Sequence, residues 1–132
     1  MAATYVKLQD AHAAETGAVG TWQKIGYIAP GTKTNSESYY TTVFDYTNSF
    51  TGGTGENAGT TMVGAVSGFT DGWKATAKTA LNDCKISSTW VIQFNKSGEG
   101  ASLQYKAIIT GLSNSTEDCK SLTPNFASIA HQ

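Results

Sequence analysis

Residues 2–22 read AATYVKLQDAHAAETGAVGTW, and this stretch decides the fold. Tyr5, Leu8, Ala11 and His12 recur at three- and four-residue spacing, and Val6 and Ala13 widen the stripe. Lys7, Gln9, Asp10 and Glu15 fall mostly on the other faces. That is the pattern of an amphipathic helix. Alanine is abundant and no Pro or Gly precedes Gly17, so propensity agrees with pattern. Gly17 and Gly20 offer two exits, which bounds the helix at about residues 2–20. The pattern begins as the chain begins, with no capping residue or approach loop ahead of it, as in a helix cut from a longer one.

Working outward, residues 21–38 read as a connector anchored by Trp22, Ile25, Tyr27 and Ile28, turning at Pro30-Gly31 into a polar run. Tyr39–Thr47 reads as one strand, with Tyr40, Thr42, Phe44 and Tyr46 on a common face. The glycines of residues 52–59 mark an exposed loop. No Lys-Ser or Lys-Thr follows them and no helix opens there, so a phosphate cradle is not indicated. Thr60–Phe69 and Gly72–Thr79 read as strands joined at Thr70-Asp71-Gly72, since Asp-Gly is a hairpin signal. Trp73, Ala75 and Ala77 then face one way and Lys74, Thr76 and Lys78 the other, although residues 74–84, KATAKTALNDC, also read as a helix by propensity.

The clearest pair follows. Trp90, Ile92 and Phe94 alternate with Thr89, Val91 and Gln93, and Leu103, Tyr105, Ala107 and Ile109 alternate with Gln104, Lys106 and Ile108. Residues 95–102, NKSGEGAS, join them into an antiparallel hairpin. From Ser113 the chain reads as irregular, with Pro124 and a short apolar tail at Phe126 and Ile129. The expectation is a single α+β domain over residues 1–132, its helix lying across a four- or five-stranded antiparallel sheet at about residues 39–110.

Composition narrows the function. The net charge is −1, from nine Lys, no Arg and ten acids. No basic stripe exists, so no nucleic acid partner is expected. Charged residues make up 14%, against a usual share of about a quarter, a balance that fits secreted or cell-surface β-rich proteins. No run of apolar residues is long enough to span a bilayer, and no signal peptide pattern is visible. Cys84 and Cys119 are the two cysteines. As a bridge they close a loop with a sequence separation of 35, worth about 3–4 kcal/mol in the chain-entropy model. The alternative is a pair of buried thiols; their polar, turn-like settings, LNDCKIS and TEDCKSL, favour the bridge.

Chemistry is sparse. His12 has Glu15 three residues on, but no second His is placed to complete a metal site, and His131 sits next to the end of the chain. Gly64-Ala65-Val66-Ser67-Gly68 lacks the spacing of a nucleophile elbow. Glu56, Asp71 and Glu99 lie in Gly-rich turns and read as solvated acids, the alternative being a carboxylate pair for glycoside hydrolysis. Asn95-Lys96-Ser97 and Asn114-Ser115-Thr116 match the glycosylation acceptor pattern, which is common by chance. No catalytic, cofactor-binding or metal-ligating residue is assigned, and an enzyme is not expected. Trp22, Trp73 and Trp90 raise one other possibility, a stacking platform for sugar rings, with Trp73 after its turn as the surface aromatic for contact with glycans or cellulose.

The runs Tyr5–His12 and Gly20–Pro30 resemble the region that follows the membrane helix in bacterial type IV pilins, as in pilins of fibre-degrading anaerobes. The later layout is similar too: a variable loop, an antiparallel sheet, and a C-terminal region bracketed by two cysteines. The resemblance implies a pilin-like fold and a structural role without cofactors, in a cell-surface filament serving adhesion, motility or attachment. The partners would be other copies of the chain, met through the N-terminal helix. Such subunits carry an apolar helix half of about 25 residues, more than the ~20 that span a bilayer, which anchors them in the inner membrane before assembly. Here the leader, the apolar half and its acidic assembly residue are missing, so the expectation is a truncated soluble form in which Met1 replaces the membrane segment. A minor pilin or pseudopilin of a secretion or DNA-uptake machine, and a secreted carbohydrate-binding module, are the alternatives.

Overall fold

The computed structural model describes residues 2–52, 59–81, 84–98, 102–111, 116–122 and 126. Helix α1 (Ala2–Thr16) leads into strand β1 (Ala18–Gly20) and the short helix α2 (Trp22–Ile25). Strands β2 (Thr32–Asn35), β3 (Ser38–Tyr40), β4 (Phe44–Thr47) and β5 (Thr60–Met62) follow. The chain then forms β6 (Thr70–Ala77), β7 (Thr89–Lys96), β8 (Leu103–Thr110) and helix α3 (Thr116–Leu122). Six strands make one antiparallel sheet in the order β2-β3-β4-β6-β7-β8, and β1 and β5 pair in a separate two-stranded ribbon. The main sheet is therefore a meander interrupted once, where the chain leaves between β4 and β6 to add β5 to β1. The mixed architecture agrees with the sequence reading, but the sheet is larger than four or five strands. The polar run after Gly31 is itself a strand, β2, and the Tyr39–Thr47 stretch holds parts of two.

That second difference has a local cause. Thr41 turns the chain: its Oγ1 accepts the N–H groups of Val43 (3.1 Å) and Phe44 (2.9 Å), and its own N–H donates to the Phe44 carbonyl (2.8 Å). The turn shifts the alternation by one residue. Tyr39 and Tyr46 face the core while Tyr40 is exposed. Asp71-Gly72 is likewise not a hairpin turn. It lies inside β6, at a bulge where the register with β7 slips between Asp71 and Trp73. The strand expected over Thr60–Phe69 shrinks to β5 and one 3-10 turn, Val63–Ala65. Residues 74–77 are strand, so the helical alternative for that segment does not hold. The β7–β8 hairpin has the expected faces, with Trp90 opposite Ile109, Ile92 opposite Ala107 and Phe94 opposite Tyr105.

Helix α1 packs against the sheet face that carries Trp73, Ile92, Phe94 and Tyr105. It stops at Gly17 (φ 74°), whose N–H donates to the Ala13 carbonyl, and so is shorter than the 2–20 span. Tyr5, Val6, Gln9 and Ala13 are buried and Ala11 is exposed. The buried Gln9 is the departure from the polar pattern. Its Oε1 accepts the Gly20 N–H (2.8 Å), and its Nε2 donates to the Gly20 carbonyl (2.9 Å) and to Tyr5 Oη (3.1 Å). Strand β1 thus has β5 along one edge and the Gln9 amide along the other, so a fully buried polar side chain is hydrogen-bonded through both its amide atoms.

Two contacts fix the helix to the sheet. Tyr5 Oη occupies the space that a Cβ at residue 72 would need, and Phe94 closes the same space from β7. The bulge leaves the Gly72 carbonyl to accept Trp22 Nε1–H (2.9 Å). Further along, Tyr105 Oη donates to Asp10 Oδ1 (2.8 Å). In the connector, Trp22, Ile25 and Tyr27 are buried as expected, but Ile28 is 74% exposed because the extended backbone there turns Tyr27 and Ala29 inward. The Cys84–Cys119 disulfide is formed, with both residues fully buried and Cα atoms 4.8 Å apart. It ties α3 to the β6–β7 connection. Helix α3 itself replaces the start of the irregular region expected after Ser113; Glu117 and Asp118 in its first turn and Lys120 in its last suit the helix dipole. Pro124 and Ile129 lie outside the described residues.

Substituting Gly72→Ala overpacks the Tyr5 contact and is expected to cost about 1–3 kcal/mol of unfolding free energy. Gly64→Ala, where an added methyl meets nothing within 4 Å, is expected to stay within about 0.5 kcal/mol of the parent. Urea unfolding of the two variants side by side checks both.

Candidate functional site

Trp73 is 4% exposed, so it is not the surface aromatic that the sequence suggests. Because Asp71-Gly72 is a bulge rather than a turn, Trp73 stays on the inward face of β6. Its indole N–H donates to Tyr27 Oη (2.9 Å), and its ring packs beside Tyr46 and Phe126. Trp22 and Trp90 are buried as well, so the three tryptophans build core and no stacking platform. The exposed rings are Tyr40 and Phe69, and each is covered by a lysine, with Lys78 Nζ 4.9 Å from the Tyr40 ring centre and Lys106 Nζ 5.5 Å from that of Phe69.

His12 is half-buried, and its Nε2 is enclosed near Gly20 without a hydrogen-bond partner among the described residues. Glu15 is exposed on the same helix. Among the described residues, no three His, Cys, Asp or Glu side chains converge on a point that would hold a metal ion. Asp71 accepts a hydrogen bond from Gln93 Nε2 (2.7 Å) across the bulge. Asn95 lies at the end of β7, its side-chain oxygen accepting the Lys96 N–H (2.8 Å). Glu56, Glu99, His131, Asn114 and Ser115 lie outside the described residues.

The best-formed polar arrangement centres on Glu37, in the turn between β2 and β3. Its Oε1 accepts the Trp22 N–H (2.7 Å) and Asn48 Nδ2–H (2.7 Å), and its Oε2 accepts the Gln23 N–H (3.0 Å). Thr21 gives α2 no side-chain cap, so this distant carboxylate takes up the free N–H groups of the first turn. Asn48 is locked in turn: its Nδ2 donates to the Phe50 carbonyl and its Oδ1 accepts the Phe50 N–H, both at 2.9 Å. Glu37 therefore joins three separate chain segments. Where they meet lies an open pocket of about 470 Å³, lined by Gln23, Lys24, Ser36, Glu37, Phe50 and Thr51 together with Thr21, Asn48 and Gly59. Sequence reasoning missed this site. Glu37 stands in the polar run TNSESYY, and its partners lie 11 to 15 residues away.

The interior holds several tyrosine hydroxyls whose ionisation is suppressed. Burial raises Tyr5 well above the usual range, against a smaller opposing effect from Gln9. Burial also raises Tyr105, and its hydrogen bond to the Asp10 carboxylate adds to the effect. Tyr27 is pushed up to about 12 by burial, partly offset by the Trp73 N–H. Comparison with models of known protein families, with characterised proteins and with solved structures gave no match. No helix among the described residues is long and apolar enough to cross a membrane.

Well below pH 10 these tyrosines are neutral in folded and unfolded chains alike, so their contribution is intact there. It is lost as pH rises from about 10 through 12, because the unfolded chain ionises first. The urea midpoint is expected to fall across that window, with the tyrosinate absorbance of Tyr5, Tyr27 and Tyr105 appearing together with unfolding. Reduction of Cys84–Cys119 is expected to lower the unfolding free energy by about 3–4 kcal/mol, read from the same urea curves with and without reductant.

Proposed function

We propose that this chain is the head of a type IV pilin-like subunit, which polymerises through α1 into a filament on a bacterial cell surface. The observation that carries the reading is the two-sidedness of α1. Tyr5, Val6, Gln9 and Ala13 are held against the head, while Ala3, Thr4, Lys7, Ala11 and Ala14 form an exposed side. Small residues on that side let a neighbouring helix approach closely. The antiparallel meander and the disulfide that ties down the C-terminal region agree with the layout of such subunits.

In this reading α1 continues N-terminally into an apolar segment, which anchors the subunit in the membrane before assembly and lies in the filament core afterwards. The sheet forms the outward head, extracellular in the assembled state, and the filament serves adhesion, motility or attachment. The work is mechanical and needs no cofactor. The helix carries the axial connection between copies, and the contacts of Tyr5 and Tyr105 hand load from helix to sheet.

Intact mass of the native protein from a surface-sheared fraction tests this against the 13.9 kDa of the chain. The expected result is a heavier species carrying an apolar N-terminal segment of about 20 or more residues, abundant in sheared filaments. A trace amount in those filaments would assign a minor pilin or pseudopilin instead. A native mass equal to that of the chain, with no filament, would overturn the reading.

A further inference from the structure

We infer that the pocket at Glu37 binds a neutral sugar, of the size of one or two pyranose rings. The inference is independent of the filament reading and rests on the chemistry of the pocket wall. Its volume of about 470 Å³ lies inside the range of roughly 300–1,000 Å³ typical of small-molecule sites. Four stretches of the chain converge on it: helix α2, the β2–β3 turn, the chain after β4, and Gly59 ahead of β5. Binding residues collect at such junctions.

The decisive group is the Glu37 carboxylate, which is oriented before any ligand arrives. Oε1 accepts two hydrogen bonds and has no lone pair to spare. Oε2 accepts one and retains one. One acceptor position of Glu37 therefore remains in a wall that also carries donors: the Lys24 ammonium and Gln23 amide, both exposed, and the hydroxyls of Ser36 and Thr51. Phe50 supplies an apolar wall, held from behind by the Phe94 ring at 5.2 Å.

This set selects among ligand classes. A divalent cation needs several free oxygens, and here the one carboxylate has a single acceptor position left, on a wall that also carries Lys24. An anion would face the Glu37 charge. A wholly apolar ligand would leave Oε2 and the hydroxyls without partners, at a desolvation cost. A neutral polyhydroxylated ring meets every requirement. One hydroxyl donates to Oε2, its neighbours accept from Lys24, Gln23 and the hydroxyl groups, and the C–H face of the ring lies on Phe50.

Saturation-transfer NMR on the full chain tests the proposal with glucose, galactose, N-acetylglucosamine, cellobiose, chitobiose and lactose, with phosphate and acetate as comparison probes. At least one saccharide is expected to bind, and Gln23→Ala and Lys24→Ala are expected each to weaken it about tenfold. Both side chains are exposed, so an unchanged thermal midpoint is expected to accompany the loss. Binding by none of the saccharides, binding of phosphate or acetate alone, or saccharide binding that both substitutions leave unchanged would overturn it.

Discussion

The phenol of Tyr5 reaches into a space above β6 that only a residue without a side chain leaves open. Gly72 provides that space, and the bulge at the same point turns its carbonyl out of the ladder to receive the Trp22 indole. Helix, connector and sheet thus meet at one backbone position. Aromatic contacts spread from it: Tyr5 and Trp22 each pack edge-on against Tyr27, and Tyr27 accepts the Trp73 N–H. Move this point and the helix loses its seat, the connector its anchor and Trp73 its partner.

Two polar residues extend the same logic. Gln9 takes the place of a missing neighbour strand along β1, and Glu37 takes the place of a missing cap on α2. Each supplies through a side chain the hydrogen bonds that the backbone would otherwise lack, and an unpaired buried backbone group costs free energy comparable to a lost hydrogen bond. Their roles differ in one respect that matters for function. Gln9 is sealed in the interior with its donors and acceptor used. Glu37 lies at a pocket wall with acceptor capacity left over. A structural cap and a ligand contact can then be the same group.

Much of this was legible in the sequence, where the signal was periodic. The existence of α1, the alternation of β7 and β8, and the common face of Trp73, Ala75 and Ala77 all come from side chains that repeat with the geometry of their element, although Ala11 of the α1 stripe is exposed. What stayed hidden depends on single residues acting at a distance. Gln9 reads as an outward polar residue until Gly20 is known to lie beside it. Asp71-Gly72 reads as a hairpin turn because the dipeptide permits one; it is instead a bulge, packed against Tyr5, which lies 66 to 67 positions away. Thr41 shifts the alternation of Tyr39–Thr47 through a local hydroxyl bridge, so a strict period of two breaks there. The Glu37 pocket carries no local signal at all, because its walls come from four separate stretches of the chain.

The seat of α1 lies late in the chain. Trp22 meets Gly72 across 50 positions, and Asp10 meets Tyr105 across 95. Chain growth at roughly 5–20 residues per second means that the helix leaves the ribosome about 5–20 s before its last partner strand is made. During that interval Tyr5 and Val6 have no sheet to cover them, whereas β6, β7 and β8 can pair as neighbours once each has emerged. A helix made before the sheet is therefore seated only once the sheet is complete. Its apolar side is open for seconds to whatever stands nearest, whether a chaperone, a lipid surface or the helix of another nascent copy.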